Sequence, residues 1–370
     1  MRKLLFIALA ILLLGGSCNN KVNQLARKDR PKNIILLIGD GMGLSQLSSS
    51  YFYKDSEPNF SRFKNIGLVK TSSSSHRITD SAAGATAYSA GIKTYNGAIG
   101  VDRDTMPVAT ILEKLAEENW STGLVVTSSI THATPASFFA HIKSRNLAED
   151  IAAELVDAPV NFFAGGGLQY FNQRTDGVNL LEKLKTKGFN VHTDKLASGP
   201  LSLAKKEAFL LAPDGMPKML EGRADFLPDA TQLALDYLKQ DKDGFFLMVE
   251  GSQIDWGGHS NDGQYVITEV LDFDRAIGKA LDFAKADGNT LVVVTADHET
   301  GGFTLASKTI KVPYKGDISD YDQLDESFST GGHSAALIPV FAYGPGSETF
   351  TGVYENTGVF HKMMELAGKQ

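Results

Sequence analysis

Cysteine is nearly absent from this chain of 370 residues, because Cys18 is the only one, and an internal disulfide is therefore excluded. Basic runs are absent too, and the formal net charge is −7, which argues against a nucleic-acid-binding surface. With 42% hydrophobic and 21% charged residues, the composition is that of a globular protein with a large core. Stability must come from this core and from any bound metal ions.

The first residues have the features of a signal peptide, which we predict to span residues 1–17. Basic residues precede an apolar run that ends at Leu14 and is too short to cross a bilayer comfortably. The small residues before Cys18 resemble a bacterial lipobox, although Gly15 stands where a large aliphatic residue is usual. We expect an exported protein of the periplasm or cell envelope, anchored by lipid on Cys18, with plain secretion as the alternative. Residues 18–31 are predicted to be a tether.

From residue 32 onward, short apolar runs alternate with amphipathic stretches, which is the pattern of βαβ units. This pattern predicts one α/β domain over residues 32–370, a three-layer α/β/α sandwich around a largely parallel sheet. A small insertion is expected at about residues 303–330, where the pattern is polar and irregular. Strands are predicted at residues 34–38, 66–70, 123–127, 161–164, 208–211, 245–249, 291–294 and 337–342.

A segment rich in alanine and glycine follows the pair Asp80-Ser81 and predicts a tightly packed helix that ends at Gly91. A hydroxyl in the first turn of a helix lies among unpaired backbone N–H groups and the positive end of the helix dipole. Both favour an anion or an ionised oxygen at Ser81. The alternative is that Ser81 serves only as the N-cap of the helix.

Carboxylates and histidines follow several predicted strands at the sheet edge where open α/β proteins bind ligands. Carboxylates brought together there would repel one another unless cations lay between them. Taken singly, each could also be a surface or turn residue, and His333 in its glycine loop means little alone. The residues in question are Asp40, Glu250, Asp255, His259, Asp297 and His298.

Six segments, found in the same order, resemble motifs of the alkaline phosphatase family and extend from about residue 32 to the C-terminus. The resemblance is closest to bacterial exported members with a compact insertion, including cold-adapted ones. The segments are Gly39-Asp40-Gly41-Met42-Gly43, Thr79-Asp80-Ser81-Ala82-Ala83-Gly84-Ala85-Thr86, Thr131-His132-Ala133-Thr134-Pro135, the block from Glu250 to His259, Ala296-Asp297-His298-Glu299-Thr300-Gly301-Gly302 and Gly332-His333.

This resemblance implies an enzyme that hydrolyses phosphate monoesters through a covalent phosphoserine on Ser81, with two zinc ions and one magnesium ion. Two such zinc ions, about 4 Å apart, stabilise the attacking and the leaving oxygen of an in-line displacement. The implied phosphate ligand is Arg145, whose planar fork suits two phosphate oxygens. The implied metal ligands are Asp255, His259 and His333 for the first zinc, Asp40, Asp297 and His298 for the second, and Asp40, Thr134 and Glu250 for magnesium.

The resemblance also implies a homodimer, and it shows two departures from the enteric members of the family. Those members have Asp where this chain has His132 and Lys where it has Trp256, so both residues are expected beside the substrate. Two alternatives stay open at this point. One is a phosphodiesterase of the same superfamily, and the other is a surface lipoprotein that binds phosphate or metal without turnover.

Overall fold

The computed structural model describes residues 30–368. The predicted signal peptide, Cys18 and nearly all of the predicted tether lie outside the described residues. Within residues 30–368, no helix is long and apolar enough to cross a membrane.

Within residues 30–368, the strands include seven in which every residue or nearly every residue is buried, and the longest apolar runs of this range form them. In chain order the strands are β1 Asn33–Gly39, β2 Asn65–Lys70, β3 Ser121–Ser129, β4 Phe162–Gly166, β5 Phe189–His192, β6 Lys206–Leu210, β7 Phe245–Gly251, β8 Thr290–Thr295, β9 Glu299–Thr300, β10 Thr304–Val312, β11 Gly316–Ser327, β12 His333–Ser334, β13 Ile338–Tyr343 and β14 Gly352–Glu355.

Ten of these strands form one sheet in the order β14-β2-β13-β8-β1-β7-β3-β4-β6-β5. The strands from β8 to β5 in this order are all parallel to one another, whereas β13 runs antiparallel to both β8 and β2. The prediction of a largely parallel sheet in an α/β sandwich is therefore confirmed. All eight predicted strands are present, but the edge strands β5 and β14 were not predicted.

Helices pack against this sheet, and the longest of them, with 25 residues, begins just after the segment that carries Asp255 and His259. The α-helices are α1 Leu44–Tyr53, α2 Ser81–Ala90, α3 Ile111–Glu117, α4 Ala133–Ala136, α5 Ala148–Asp157, α6 Gln169–Asn172, α7 Leu180–Thr186, α8 Phe226–Leu238, α9 Gln253–His259, α10 Gly263–Asp287 and α11 Thr357–Leu366.

The register of the central strands brings the predicted site residues to one edge of the sheet. In the ladder, Ile38 of β1 is opposite Glu250 of β7 on one side and Thr295 of β8 on the other. Asp40 and Asp297, which come just after the ends of β1 and β8, therefore lie close to Glu250 in the ladder. The carboxyl ends of four adjacent strands, β8, β1, β7 and β3, meet at this edge, as expected for a ligand site in an open α/β sheet.

The segment predicted as an irregular insertion is in fact regular. Its strands β10 and β11 pair antiparallel over most of their length, with one shift of register between Ser307 and Lys308. Most of their residues are exposed or half-buried, so the usual alternation of apolar and polar residues is missing from the sequence. The backbone ladder, and not a buried face, holds this hairpin together.

Candidate active site

The side chain of Ser81 lies at the beginning of α2 and is not used to cap that helix. The N-cap is Asp80, whose Oδ1 accepts a hydrogen bond from the Ala83 N–H at 3.0 Å. Gly91 ends the helix with a left-handed φ of 70°, as predicted. Because Asp80 fulfils the capping role, the interpretation of Ser81 as the N-cap is wrong, and its hydroxyl is available for another function.

The hydroxyl of Ser81 points toward the residues that follow β1 and β8. Its Oγ lies 3.3 Å from His298 Nε2 and 3.5 Å from Asp40 Oδ1, and the residue is only 2% exposed. All ten residues of α2 are buried. A Cβ placed on Gly84 would lie 3.0 Å from the Cβ of Asp297, so the small residues of α2 allow the helix to approach the strand ends closely.

Asp255, His259 and His333, the residues predicted for the first zinc, lie together although 78 positions separate the first from the last. Nε2 of His259 is 3.4 Å from Asp255 Oδ2 and 3.2 Å from His333 Nε2. Each imidazole directs Nδ1 to a backbone carbonyl, His259 to Gly331 and His333 to Thr79. Because a carbonyl oxygen only accepts, each of these two hydrogen bonds places the ring proton on Nδ1. The lone pairs of the two Nε2 atoms therefore face each other and favour a shared cation.

Asp40, Asp297 and His298, the residues predicted for the second zinc, form a buried group beside Ser81, and their ligand atoms lie within 4.8 Å of one another. Asp297 Oδ1 is held by the N–H groups of Gly41 at 3.1 Å and of His298 at 3.0 Å, which leaves its Oδ2 free. The His298 ring stacks on that of His333 with a centroid separation of 3.5 Å, so the two groups are adjacent.

A third group consists of Asp40, His132 and Glu250, again with ligand atoms within 4.8 Å of one another. Thr134, the remaining residue predicted for magnesium, is fully buried in α4, directly after the His132 loop. The structure thus adds His132 to the oxygen ligands predicted for this position. The roles of these residues as metal ligands remain predictions.

Burial dominates the electrostatics of these groups. It raises the pKa of Glu250 to about 8, and it raises the pKa values of Asp40 and Asp297 above the ordinary carboxyl range. Neighbouring carboxylates raise the pKa of Asp40 further. Burial also lowers the pKa of His132 and of His298 to about 3, so both rings are neutral and keep a lone pair for a metal ion.

Several buried polar atoms of these groups have no hydrogen-bond partner among residues 30–368. Each such atom costs on the order of 1–3 kcal/mol unless something else satisfies it. Cations of the predicted kinds fit them, because carboxylate and hydroxyl oxygens suit magnesium, whereas groups with imidazole suit zinc. The atoms are Asp40 Oδ2, His132 Nδ1, Thr134 Oγ1, Glu250 Oε1 and Asp297 Oδ2.

Arg145, the predicted phosphate ligand, lies at the same edge and is held by Asp80. Its Nη1 donates to Asp80 Oδ2 at 3.0 Å, and its Nη2 is 3.4 Å from Nε2 of His132. The side chain is still 24% exposed, so solvent reaches it. Trp256 also contacts His132, and the two rings meet edge-on at a centroid separation of 5.9 Å and an angle of 76°.

Sequence reasoning missed three residues that support this site. Asp80 both caps α2 and binds Arg145, and its position directly before Ser81 was the available signal. Thr300 donates its hydroxyl to Asp255 Oδ1. Glu299 accepts hydrogen bonds from Gln46 Nε2 at 2.7 Å and from the hydroxyl of Ser334, next to His333. The contacts of Thr300 and Glu299 depend on distant parts of the chain and have no local signal.

A mostly parallel α/β sheet with buried carboxylate–imidazole groups beside a free serine hydroxyl is the arrangement of a metal-binding hydrolase. The sequence profile of the alkaline phosphatase family matches residues 31–324. Alkaline phosphatase 3 of Bacillus subtilis is 37% identical over 412 residues, which cover 90% of this chain and 88% of that protein. The Escherichia coli alkaline phosphatase is 31% identical over 409 residues, covering 92% and 87%. The chain belongs to the alkaline phosphatase family.

Solved structures agree with this assignment. The alkaline phosphatase from the Antarctic bacterium TAB5 superposes with a TM-score of 0.88 at 55% identity, covering 92% of this chain and 99% of that one. A histidine-to-aspartate variant of the TAB5 enzyme, described with Mg bound in its M3 site, has a TM-score of 0.89 and the same identity and coverage. The predicted family, fold and enzyme class, a hydrolase of phosphate monoesters, are confirmed.

Proposed function

We propose that this alkaline phosphatase works through a covalent phosphoserine on Ser81, with two zinc ions and one magnesium ion at the three groups described above. One observation carries the proposal. Ser81 Oγ is not needed for helix capping, and it lies 3.3–3.5 Å from ligand atoms of His298 and Asp40. A hydroxyl in that place is a nucleophile beside a metal group.

The ligand sets that we propose keep the sequence-based assignment and add one residue. Asp255, His259 and His333 hold the first zinc, and Asp40, Asp297 and His298 hold the second. The magnesium ligands are Asp40, Thr134 and Glu250, with His132 beside them. The TAB5 variant, in which aspartate replaces a histidine and Mg is bound in the M3 site, supports a third cation in this chain as well. When bound, the zinc ions would lower the pKa of the attacking hydroxyl and stabilise the leaving oxygen.

The residues of the chain then account for substrate binding and for the two displacements. Arg145, oriented by Asp80, donates to two phosphate oxygens, and the first N–H groups of α2 add positive potential around the phosphate. The hydroxyl of Ser81 gives its proton to water, its Oγ attacks phosphorus as the bond to the ester oxygen breaks, and the leaving alkoxide takes up a proton from water to become the alcohol. A water molecule then breaks the bond between phosphorus and Ser81 Oγ, which releases inorganic phosphate and restores the hydroxyl.

The decisive experiment is a phosphomonoesterase assay with and without chelator, together with a rapid quench of labelled substrate. The wild type should hydrolyse the monoester, lose activity on chelation and accumulate acid-stable phosphoserine at low pH. Ser81→Ala should give no phosphoenzyme and retain its metals, because the serine contributes no charge to the metal groups. If the wild type forms no phosphoserine, the proposed mechanism is wrong.

The same assay tests the alternatives. A phosphodiesterase would turn over a diester faster than the matching monoester. A lipoprotein that only binds phosphate or metal would turn over neither substrate, yet would still bind zinc. The hydroxyl of Ser81, which does not cap the helix and lies next to His298 and Asp40, supports turnover and not simple binding.

We also propose export to the periplasm or cell envelope, a lipid on Cys18 and a homodimer. The lone cysteine after an apolar run supports the lipid, and the family resemblance supports the dimer. Cys18→Ser should shift the protein from the membrane fraction to the soluble fraction, and the mass of the purified protein in solution should be twice that of one chain. Retention of Cys18→Ser in the membrane fraction would contradict the anchor.

A further inference from the structure

Residues 212–223 lie within the connection between β6 and α8. They run across the end of the sheet next to Trp256, and we call them the strap. Its first anchor is on the segment that follows β4. Ala212 O accepts hydrogen bonds from the N–H groups of Gly167 and Leu168, both at 3.0 Å. A Cβ on Gly166 would lie only 1.7 Å from Asp214 O, so the strap backbone lies directly on the end of β4.

The second anchor ties the middle of the strap to β3 and α9. The N–H of Met216 donates to Thr127 O at 3.0 Å. The amide of Gln253, a fully buried residue, donates to Met216 O at 2.7 Å and to Thr127 O at 2.9 Å. Tyr265 in turn donates its hydroxyl to Gln253 Oε1 at 2.7 Å. Because Gln253 begins α9, the helix that carries Asp255 and Trp256, the strap and this helix are held in one fixed arrangement.

The third anchor is a buried ion-pair network at the end of the strap. The guanidinium of Arg223 donates to Asp272 Oδ2 at 2.8 Å, to both oxygens of Glu269 and to Pro217 O within the strap at 3.1 Å. The three charged side chains are at most 2% exposed. Arg275 adds a second positive charge on Asp272 at 2.8 Å. Buried and paired charges of this kind fix the strap on α10 in one geometry.

Between these anchors, Gly215 lies against the six-membered ring of Trp256. A Cβ on Gly215 would be 2.6 Å from Cη2 and 2.9 Å from Cζ3 of that ring, which is too close for any side chain. Trp256 also contacts the imidazole of His132, whose Nδ1 is buried without a partner among the described residues. The indole of Trp256 is thus confined between the strap and His132, and His132 in turn lies next to Asp40 and Glu250.

We propose that Gly215 is a positioning residue, and that the strap, through Trp256, fixes the His132 ring and so sets the affinity of the third group for magnesium. The inference rests on the proposed cation at that group. Supporting residues behind a metal ligand typically change metal affinity by about 10-fold to 100-fold when altered. Gly215→Ala displaces the indole and should raise the magnesium concentration for half-saturation by about 10-fold.

The experiment uses the full chain with Trp120→Phe, which leaves Trp256 as its only tryptophan. Magnesium is titrated into zinc-loaded protein, and Trp256 emission and bound magnesium after equilibrium dialysis are measured. Gly215→Ala should shift the emission spectrum and weaken magnesium binding, whereas zinc content should not change. Gly199→Ala is the matched control, because a Cβ there meets nothing within 4 Å and the backbone is unstrained.

A double-mutant cycle with Trp256→Ala separates positioning from a general structural effect. If Gly215 acts through the indole, Gly215→Ala should weaken magnesium binding in the presence of Trp256 and have no further effect in Trp256→Ala. Equal losses in both backgrounds, or unchanged magnesium binding in Gly215→Ala, would overturn the proposal. Should Gly215→Ala fail to fold, Trp256→Phe removes the ring that Gly215 contacts and should itself weaken magnesium binding; unchanged affinity there overturns the proposal as well.

These readouts do not depend on hydrolysis. A protein that binds magnesium at the third group but forms no phosphoserine contradicts the proposed mechanism and leaves the strap proposal standing. If the wild type forms phosphoserine but Gly215→Ala leaves the magnesium affinity unchanged, only the strap proposal is contradicted. If the Trp256 emission and the bound magnesium of the Trp120→Phe protein do not respond to added magnesium, the strap proposal and the third cation site are overturned together.

Discussion

Asp80 accepts a hydrogen bond from Arg145 at 3.0 Å through Oδ2, while its Oδ1 caps the helix that begins with Ser81. The same Oδ2 also accepts the N–H of Gly97 at 3.0 Å. One carboxylate therefore sets the position of the proposed nucleophile and of the proposed phosphate ligand relative to each other. The two residues are 64 positions apart in the chain, and only the fold makes them neighbours.

Asp80→Asn should weaken phosphate binding with little loss of stability. The asparagine keeps an oxygen for the cap of α2 but loses the charge that orients Arg145, and a charge-assisted hydrogen bond contributes about 1–3 kcal/mol. We expect the inhibition constant for phosphate to rise about 5-fold or more. Asp80→Ala is the comparison, since it should also lower the free energy of unfolding by about 1 kcal/mol through loss of the cap. An unchanged inhibition constant in both variants would show that Arg145 needs no support from Asp80.

The sequence was sufficient to locate the central strands and the site edge, because β1, β7 and β8 are continuous buried runs whose ends are marked by glycine or a carboxylate. The edge strands β5 and β14 were missed since they are four residues long and mostly not buried, so no periodic apolar pattern marks them. The strands of the β10–β11 hairpin are longer, but they too have no buried face and so no apolar periodicity to mark them.

Contacts between side chains far apart in sequence could not be predicted. Thr300 binds Asp255, Gln46 binds Glu299, and Gly215 touches Trp256, yet each of these residues has an ordinary local context. Such contacts depend on how loops cross over the sheet, which periodicity does not encode. The ligand sets, in contrast, follow from motifs that the resemblance supplies.

Removal of metal should destabilise the protein as well as inactivate it. Without cations, Asp40, Glu250 and Asp297 are buried near one another, and burial raises the pKa of each. A ligand present at about 1,000 times its dissociation constant stabilises the folded state by about 4 kcal/mol. Chelation should therefore lower Tm, and zinc with magnesium should restore both Tm and activity. Full activity in protein shown to be free of metal would contradict the metal assignment.

A histidine outside the site should make stability depend on pH. His141 Nε2 binds Glu113 at 2.9 Å and Nδ1 binds Gly100 O at 2.7 Å, so two oxygen acceptors favour the doubly protonated ring. The hydrogen bond to Glu113 raises the pKa of His141 against the effect of burial. A raised folded-state pKa stabilises the protein below the unfolded value of about 6.5, and this contribution is lost as pH rises through the folded value.

The measurement is the free energy of unfolding of wild type and His141→Gln between about pH 5.5 and 9. The free energy of unfolding of the wild type should exceed that of His141→Gln by about 1 kcal/mol or less, as expected for a partly exposed pair. This difference should be largest at low pH and shrink as pH rises. Glu113→Gln should reduce this pH dependence while it keeps the helix-capping geometry of α3. A wild-type advantage that grows with pH would refute the assignment of a charged His141.

His132 and Trp256 should together favour fast release of phosphate. Burial keeps His132 neutral, with its pKa lowered to about 3, and Trp256 brings an apolar ring with one N–H donor and no charge. An aspartate at the first position would hold the waters of magnesium by charge-assisted hydrogen bonds, and a lysine at the second would add positive charge near bound phosphate. We therefore expect His132→Asp combined with Trp256→Lys to bind phosphate more tightly than the natural protein.

Turnover should be slower in this double variant wherever release of phosphate limits the rate. Phosphate inhibition constants of the two proteins, each measured with zinc and magnesium in excess, test the expectation directly. The single variants show which residue matters, since Trp256→Lys alone adds a charge near phosphate and keeps His132, while the excess of magnesium keeps the third group loaded. Because a charge near a bound anion acts through screened electrostatics, its contribution should weaken as salt is added. Equal inhibition constants, or tighter phosphate binding by the natural protein, would mean that these two residues only fill space at the edge of the site.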